Sequence, residues 1–137
     1  MKVGCTIPCF KGSNLTIDII RRLKNFVDLI VVVDDCCPFN IGEKVNKEFK
    51  EDKIIVLSNR LNMGVGFSSI KGFKFLINKG CEIVIKLDSD GQMHPELIPQ
   101  LIKPIIDNKS EAAKGNRFTS LDHIKSMPKI RIIGNLG

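Results

Sequence analysis

A regular alternation of short apolar runs with segments of helical periodicity constrains the fold more than any other feature of the sequence. Leu29–Val33 (LIVVV) is a β-branched run typical of a central strand in a parallel sheet. Lys2–Pro8, Lys53–Leu57 and Glu82–Leu87 predict three further strands, and Glu111–Gly115 predicts a short fifth. Because strands that alternate with helices form βαβ crossovers, we expect an α/β chain with a mostly parallel sheet and flanking helices.

The segments between these runs are predicted to be helices. Ser13 is a candidate N-cap for the first helix. A helix around Gly66–Asn78 is expected to turn four apolar residues inward: Phe67, Ile70, Phe73 and Ile77. Pro95 is placed to open a later helix, and Pro104 is expected to bend or end it. The tail from Thr119 to Gly137 shows no clear strand.

Length and composition fit one soluble domain. The chain has 137 residues, of which 43% are hydrophobic and 26% charged, as in ordinary globular proteins. No apolar run is long enough to cross a bilayer and no signal-peptide pattern is present, so a cytoplasmic location is predicted. The five cysteines lack C-x-x-C spacing, which favours small buried side chains in a reducing compartment over a zinc site.

The positive charge of the chain is concentrated near its end. The formal net charge is +6, and residues 112–137 carry one acid, Asp122, against five basic residues. Such a segment is compatible with a phosphate-bearing ligand, nucleic acid or an anionic membrane face, although charge alone favours an ordinary solvated surface. Arg117 and Arg131 are of the type that binds phosphate in a bidentate manner, but each alone is more typical of a surface.

Acidic residues follow two of the predicted strands where they end. Ligands of open parallel sheets bind at this edge, outside the carboxyl ends of the strands. Asp88 and Asp90 are two residues apart and would face one point in space, with Gln92 close behind. Carboxylate and amide oxygens suit Mg²⁺ or Mn²⁺, and such an ion would take up a diphosphate. The alternative is a D-x-D sequence in a surface turn.

Asn62-x-Gly64-x-Gly66 lies where the third strand passes into a helix. Glycines there allow close backbone approach, and a helix N-terminus attracts phosphate. A plain helix entry explains the same pattern, and both interpretations stay open.

Six motifs then occur in order at familiar spacing. They are IPCF (Ile7–Phe10), VVVDDCCP (Val31–Pro38), NMGVG (Asn62–Gly66), LDSDGQMHPELIP (Leu87–Pro99), GNRF (Gly115–Phe118) and MPKIRIIGN (Met127–Asn135). Together they resemble family-2 glycosyltransferases with the GT-A fold, in particular dolichyl-phosphate mannose synthases and other polyprenyl-phosphate glycosyltransferases. The resemblance covers nearly the whole chain, and residues 1–137 are expected to form a single domain. It implies truncation at the C-terminus, because the family continues with the rest of its acceptor site.

The resemblance implies a set of site residues. Those expected to line the nucleotide-sugar pocket are Pro8, Phe10, Val33, Asp34 and Asp35. Those expected to hold Mg²⁺ or Mn²⁺ on the donor diphosphate are Asp88, Asp90 and Gln92, with Leu87 and Ser89 beside them. Asp90 is the expected catalytic carboxylate. Arg117 and Arg131 are expected to face the donor or acceptor phosphates.

The resemblance also implies an activity. A sugar would move from GDP-mannose or a UDP-sugar to an acceptor, with inversion at the anomeric carbon. The expected acceptor is a polyprenyl or dolichyl phosphate at a membrane surface, and no nucleic acid is expected as a partner. A lipid phosphate needs no general base to become nucleophilic, and none is placed after Arg117.

Departures from the family pattern and two other functions complete the expectations. Lys11 and Gly12 replace the usual asparagine and acid, which leaves the base open between guanine and uracil, and Cys36 and Cys37 replace small or polar residues. A sugar-phosphate nucleotidyltransferase would carry a loop rich in glycine and basic residues after the first strand, where this chain offers only Lys11 and Gly12. A non-catalytic nucleotide-binding fragment is the other alternative.

Overall fold

The computed structural model describes residues 1–89, 94–107, 112–113 and 131–133, the last two ranges as backbone only. The strands are β1 (Val3–Cys9), β2 (Leu29–Asp34), β3 (Ile54–Ser58), β4 (Ile83–Lys86), β5 (Ala112–Ala113) and β6 (Arg131–Ile133). The helices are α1 (Asn14–Leu23), α2 (Ile41–Glu48), α3 (Val65–Asn78) and α4 (Ile98–Ile106), with a 3₁₀ turn at Pro95–Leu97 before α4. The predicted alternation of strands and helices is confirmed, including the short strand after α4.

The strands form one sheet in the order β3-β2-β1-β4-β6-β5, and every neighbouring pair is parallel. Strand β1 is paired on both sides, with Cys9 opposite Asp34 of β2 and Thr6 opposite Lys86 of β4. Asp34 in turn lies opposite Ser58 of β3. The carboxyl ends of these strands therefore meet at one edge of the sheet.

Each strand sends alternate side chains to the two faces of the sheet. Ile30 and Val32 belong to the core under α1, α2 and α4, whereas Val31 and Val33 pack in the core under α3. The same alternation divides β4, where Ile83 and Ile85 face the first core. Because successive residues point to opposite faces, the position of a residue in its strand determines which core or loop its side chain meets.

Helix α1 begins with a complete capping box. The hydroxyl of Ser13 accepts a hydrogen bond from the backbone N–H of Leu15 at 3.2 Å, which confirms Ser13 as the N-cap. The hydroxyl of Thr16 accepts one from the N–H of Ser13, also at 3.2 Å. The buried face carries Ile19, Ile20 and Leu23, and this apolar stripe fixes the helix against the sheet.

The predicted inner face of α3 was wrong in part. Phe67 is 48% exposed, and the residues buried against the sheet are Ser68, Ser69, Gly72, Phe73 and Leu76. A side chain at Gly72 would overlap the hydroxyl of Thr6 in β1. Small residues on this face let the helix backbone approach the strand closely, and this packing overrides the pattern of the larger apolar residues.

In the C-terminal part, the expected end of the helix at Pro104 was wrong, and so was the expectation of a tail without a strand. Helix α4 does not end at Pro104 but continues to Ile106, because buried Ile105 anchors its last turn and Pro104 itself is exposed. The tail contains a strand at Arg131–Ile133, which lies between β4 and β5. Three residues are too few to show a period in the sequence, and pairing with distant strands defines this one.

Four of the five cysteines, Cys5, Cys9, Cys37 and Cys81, are buried free thiols, as predicted, whereas Cys36 is exposed. Within the ranges that the structure describes, no helix is long and apolar enough to cross a membrane.

The close contact between α3 and β1 predicts opposite effects for two glycine substitutions in the same helix. Gly72→Ala should lower the free energy of unfolding by about 2 kcal/mol, because the new methyl group overlaps Thr6. Gly66→Ala is the matched control, since its methyl group would meet no neighbouring atom, and it should be neutral or stabilise by about 0.5 kcal/mol. Urea denaturation followed by circular dichroism measures both, and equal stability of the two variants would contradict the packing.

Candidate active site

A cavity opens at the carboxyl edge of the sheet. Its volume is about 380 Å³, which is within the usual range for small-molecule sites. The cavity is lined by Pro8, Cys9, Phe10, Lys11, Asp35, Val65, Asp88 and Ser89. The structure thus brings together residues that follow three different strands and one residue that opens α3.

The remaining predicted site residues lie elsewhere or outside the described residues. Val33 and Leu87 are wholly buried in the two cores and do not line the cavity. Asp34 is half-buried and turns away from it. Arg131 belongs to β6, where only its backbone is described. Three predicted residues lie outside the described ranges: Asp90, Gln92 and Arg117.

The adjacent acids Asp34 and Asp35 face opposite sides of the sheet, as the alternation of β2 requires. The Asp34 carboxylate accepts hydrogen bonds from the N–H of Cys37 at 2.7 Å and of Gly42 at 3.0 Å. Gly42 lies in the first turn of α2, where a negative charge is favoured. Asp34 therefore shapes the connection between β2 and α2.

Asp35 binds the loop between β3 and α3. Its Oδ1 accepts from the backbone N–H of Met63 at 2.7 Å and from the Asn59 side chain at 2.9 Å. Its Oδ2 accepts from the N–H of Gly64 at 2.9 Å. Asp35 is only 3% exposed, so these bonds replace its water shell. The carboxylate holds the loop that carries Val65 into the wall of the cavity.

The hydrogen bonds to Asp35 also determine its charge. Burial alone would raise the pKa of Asp35, but the bonds from the loop outweigh this and hold the pKa below its ordinary value of 3.8. Gly64 has a φ of +92°, a backbone conformation that favours glycine. Its N–H is donated to Asp35 rather than presented toward the cavity. Two backbone amides of the Asn62–Gly66 segment, those of Met63 and Gly64, are therefore already bonded to Asp35.

Asp88 and Ser89 form the opposite wall of the cavity. The Lys86 Nζ lies 3.7 Å from Asp88 Oδ1, a partly exposed ion pair of modest strength. The carbonyl of Ser89 accepts a hydrogen bond from the Thr16 hydroxyl at 3.0 Å. Among the described residues, no group of three or more His, Cys, Asp or Glu side chains is placed to hold a metal ion. The described part of the predicted metal set is the Asp88 carboxylate.

Three residues that line the cavity were not predicted from the sequence: Cys9, Lys11 and Val65. Burial raises the pKa of the Cys9 thiol to about 11, so this sulfur is a neutral wall group at physiological pH. Lys11 was noted as a departure from the family pattern and in weighing a nucleotidyltransferase, and its position beside Phe10 was the available signal for the cavity. Val65 lies inside the Asn62–Gly66 motif, but nothing in its residue type indicates the cavity.

A forked ion pair joins α1 to the turn before α4. Arg22 donates from Nε to Glu96 Oε1 at 2.7 Å and from Nη2 to Oε2 at 2.6 Å. The hydrogen bonds from Arg22 lower the pKa of Glu96 to about 2. Helix α1 thus contacts the chain at Ser89 and again at Glu96.

The fold is that of GT-A glycosyltransferases, with a parallel sheet, flanking helices and a cavity at the carboxyl edge. A family model for glycosyl transferase family 2 matches residues 5–135. The chain therefore belongs to glycosyl transferase family 2.

Several characterised glycosyltransferases are similar in sequence to this chain. A UDP-N-acetylglucosamine–dolichyl-phosphate N-acetylglucosaminyltransferase from Methanococcus voltae is 31% identical over 96% of this chain and 58% of its own length. A dolichol-phosphate mannosyltransferase from Pyrococcus furiosus is 29% identical over 96% of this chain and 37% of its own. An undecaprenyl-phosphate mannosyltransferase from Micrococcus luteus is 30% identical over 77% and 44% respectively. The chain spans about half the length of these relatives.

Solved structures agree on the fold. TarS from S. aureus (residues 1–349) superposes with a TM-score of 0.57 at 20% identity, over 88% of this chain and 39% of TarS. The same protein in complex with UDP gives a TM-score of 0.51 at 21% identity. At this identity the likeness shows the fold alone.

The network around Asp35 predicts a pH-dependent loss of stability. Asp35→Asn should lower the free energy of unfolding at pH 7 by about 2 kcal/mol, because a buried charged acceptor of several hydrogen bonds is lost. A carboxylate whose pKa falls on folding stabilises the protein above its ordinary value of 3.8 and loses this contribution as the pH falls further. The difference between the two proteins should therefore shrink below that pH.

Denaturation midpoints measured from pH 3 to pH 7 test this prediction. Asp52→Asn is the control, because it removes one negative charge from an exposed turn residue. If Asp35→Asn were no less stable than Asp52→Asn at pH 7, the loop would not depend on this carboxylate.

Proposed function

We propose that this chain carries the donor site of a glycosyltransferase that moves a sugar from a nucleotide-diphosphate sugar to a polyprenyl or dolichyl phosphate. The observation that carries the proposal is the cavity, where Asp35 and Asp88 meet apolar wall residues at the carboxyl edge of a family-2 fold. The named acceptors of the curated relatives, dolichyl and undecaprenyl phosphates, support the acceptor class.

The cavity offers different surroundings to the two ends of a nucleotide-sugar donor. Pro8, Phe10 and Val65 provide apolar surface suited to a base or ribose ring. Phe10 is 39% exposed, so its ring is accessible from solvent. The oxygens of Asp35 already accept hydrogen bonds from the loop between β3 and α3, so its contribution here is to fix that loop beside the cavity. The diphosphate would then lie toward Asp88 and Ser89.

The residues present fit a divalent cation on that diphosphate. Mg²⁺ is typically held by one or two carboxylates together with substrate phosphates, and Asp88 supplies one such oxygen ligand at the cavity. Asp90 and Gln92 are the proposed further ligands. When bound, Mg²⁺ or Mn²⁺ would act as a Lewis acid that stabilises charge on the departing nucleoside diphosphate. Lys86, near Asp88, adds positive charge on the same side.

The proposed transfer is a single displacement with inversion. An oxygen of the acceptor phosphate attacks the anomeric carbon, and the bond from that carbon to the donor diphosphate breaks. The nucleoside diphosphate leaves with the electron pair. The acceptor phosphate is already anionic at neutral pH, so no base is needed to remove a proton. With a lipid acceptor, the enzyme is proposed to work as a peripheral protein at the cytoplasmic face of a membrane.

Calorimetric titration with GDP and UDP, each with and without Mn²⁺, tests the donor site. We expect one nucleotide to bind in a Mn²⁺-dependent manner. Asp88→Asn, which keeps the size of the side chain but removes its charge, should weaken that binding by at least about tenfold. Asp90→Ala should act in the same direction, and Asp52→Asn should leave the binding unchanged. A folded chain that binds neither nucleotide would contradict the donor site.

Transfer assays test the acceptor. We expect labelled sugar to move to a polyprenyl phosphate but not to the matching polyprenol, because the alcohol lacks an anionic nucleophile. Transfer to a hydroxyl acceptor with no reaction of the lipid phosphate would contradict the proposal. Release of pyrophosphate from a nucleoside triphosphate would instead favour a nucleotidyltransferase.

A further inference from the structure

We infer that Thr16 is a positioning residue that fixes the backbone of Ser89 and, through it, the direction of the Asp88 carboxylate. This inference rests on the proposed function, in which Asp88 faces the donor diphosphate. Thr16 lies outside the cavity lining, and none of the sequence motifs contains it.

The contact of Thr16 is buried and long-range. The side chain is 0% exposed, and its hydroxyl donates to the carbonyl of Ser89, 73 positions away, at 3.0 Å. The same oxygen accepts from the N–H of Ser13 at 3.2 Å. A hydroxyl has one proton to donate, and the N–H of Ser13 can only donate. The Thr16 hydroxyl thus donates to Ser89 and accepts from Ser13, and the Cys9 thiol is a further hydrogen-bonding neighbour of this side chain.

The segment before the cavity is held on two sides. The N–H of Leu87 donates to the carbonyl of Thr6 in β1 at 3.0 Å, and Thr16 holds the carbonyl of Ser89. Asp88 lies between these two fixed points. These two anchors lie one peptide unit beyond Asp88 on each side, so they limit the path of the backbone from Leu87 to Ser89 and thereby the position from which the Asp88 side chain starts.

Helix α1 supplies a second contact further along the chain. Arg22 lies six positions after Thr16 in sequence and forms a bidentate ion pair with Glu96. This pair is partly exposed, so solvent screens it, whereas the hydroxyl bond of Thr16 is buried. If the hydrogen bond from the buried Thr16 hydroxyl to the Ser89 carbonyl is removed, water cannot take its place unless the surrounding chain rearranges.

The experiment compares three variants. Thr16→Val keeps the shape of the side chain but removes the hydroxyl, whereas Thr16→Ser keeps the hydroxyl. Ser13→Ala is the matched control, because it removes the N-cap of α1 and destabilises the same helix without removing the Thr16 hydroxyl. Hydrogen–deuterium exchange of peptides containing Leu87–Ser89 is measured in the ligand-free protein, together with Mn²⁺-dependent binding of GDP and UDP.

We expect Thr16→Val alone to accelerate exchange at Leu87–Ser89 and to weaken Mn²⁺-dependent nucleotide binding about tenfold, with Thr16→Ser close to the original chain. Equal changes in Thr16→Val and Ser13→Ala at matched loss of melting temperature would overturn the inference, because stability of α1 would then explain both. If the original chain binds neither nucleotide, the proposed function fails, and the exchange comparison alone decides whether Thr16 fixes this segment.

Discussion

The position of β1 at the centre of the parallel sheet is the constraint on which the cavity depends. All seven of its residues are buried, and it pairs with β2 on one side and β4 on the other. Because parallel strands end at the same edge, residues far apart in sequence meet just beyond β1. Pro8 and Cys9, at the end of β1, lie between Asp35 from β2 and Asp88 from β4. A shift of register in either pairing would separate them.

The adjacent carboxylates of Asp34 and Asp35 stabilise two different loops at this edge of the sheet. Asp34 turns toward α2 and Asp35 toward α3, and each accepts backbone N–H groups from its own side. Buried carboxylates are stable only when such donors compensate for lost water. Both acids therefore stabilise the loops, and of the two only Asp35 also lines the cavity.

The strands and the convergence of the site were accessible from sequence, because β-branched runs and acids at strand ends follow directly from sheet geometry. The inner face of α3 could not be predicted from sequence, because it depends on the close approach of the helix at Gly72 to β1, a strand distant in sequence. Strand β6 was missed for the same reason. The different tasks of Asp34 and Asp35 follow from the alternation of β2, but their partners become visible only once the loops are in place. Thr16 belongs to none of the sequence motifs, so its contact with Ser89 could not be predicted.

The loop that follows β3 is held to Asp35 largely by backbone amides. The N–H groups of Met63 and Gly64 make these bonds, whereas the Met63 side chain is 47% exposed. Every residue except proline offers the same amide. The bonds to Asp35 thus fix the backbone of this loop without requiring a particular side chain at Met63. A substitution of Met63 by any residue except proline would therefore change an exposed side chain next to Gly64 and keep the N–H group that bonds to Asp35.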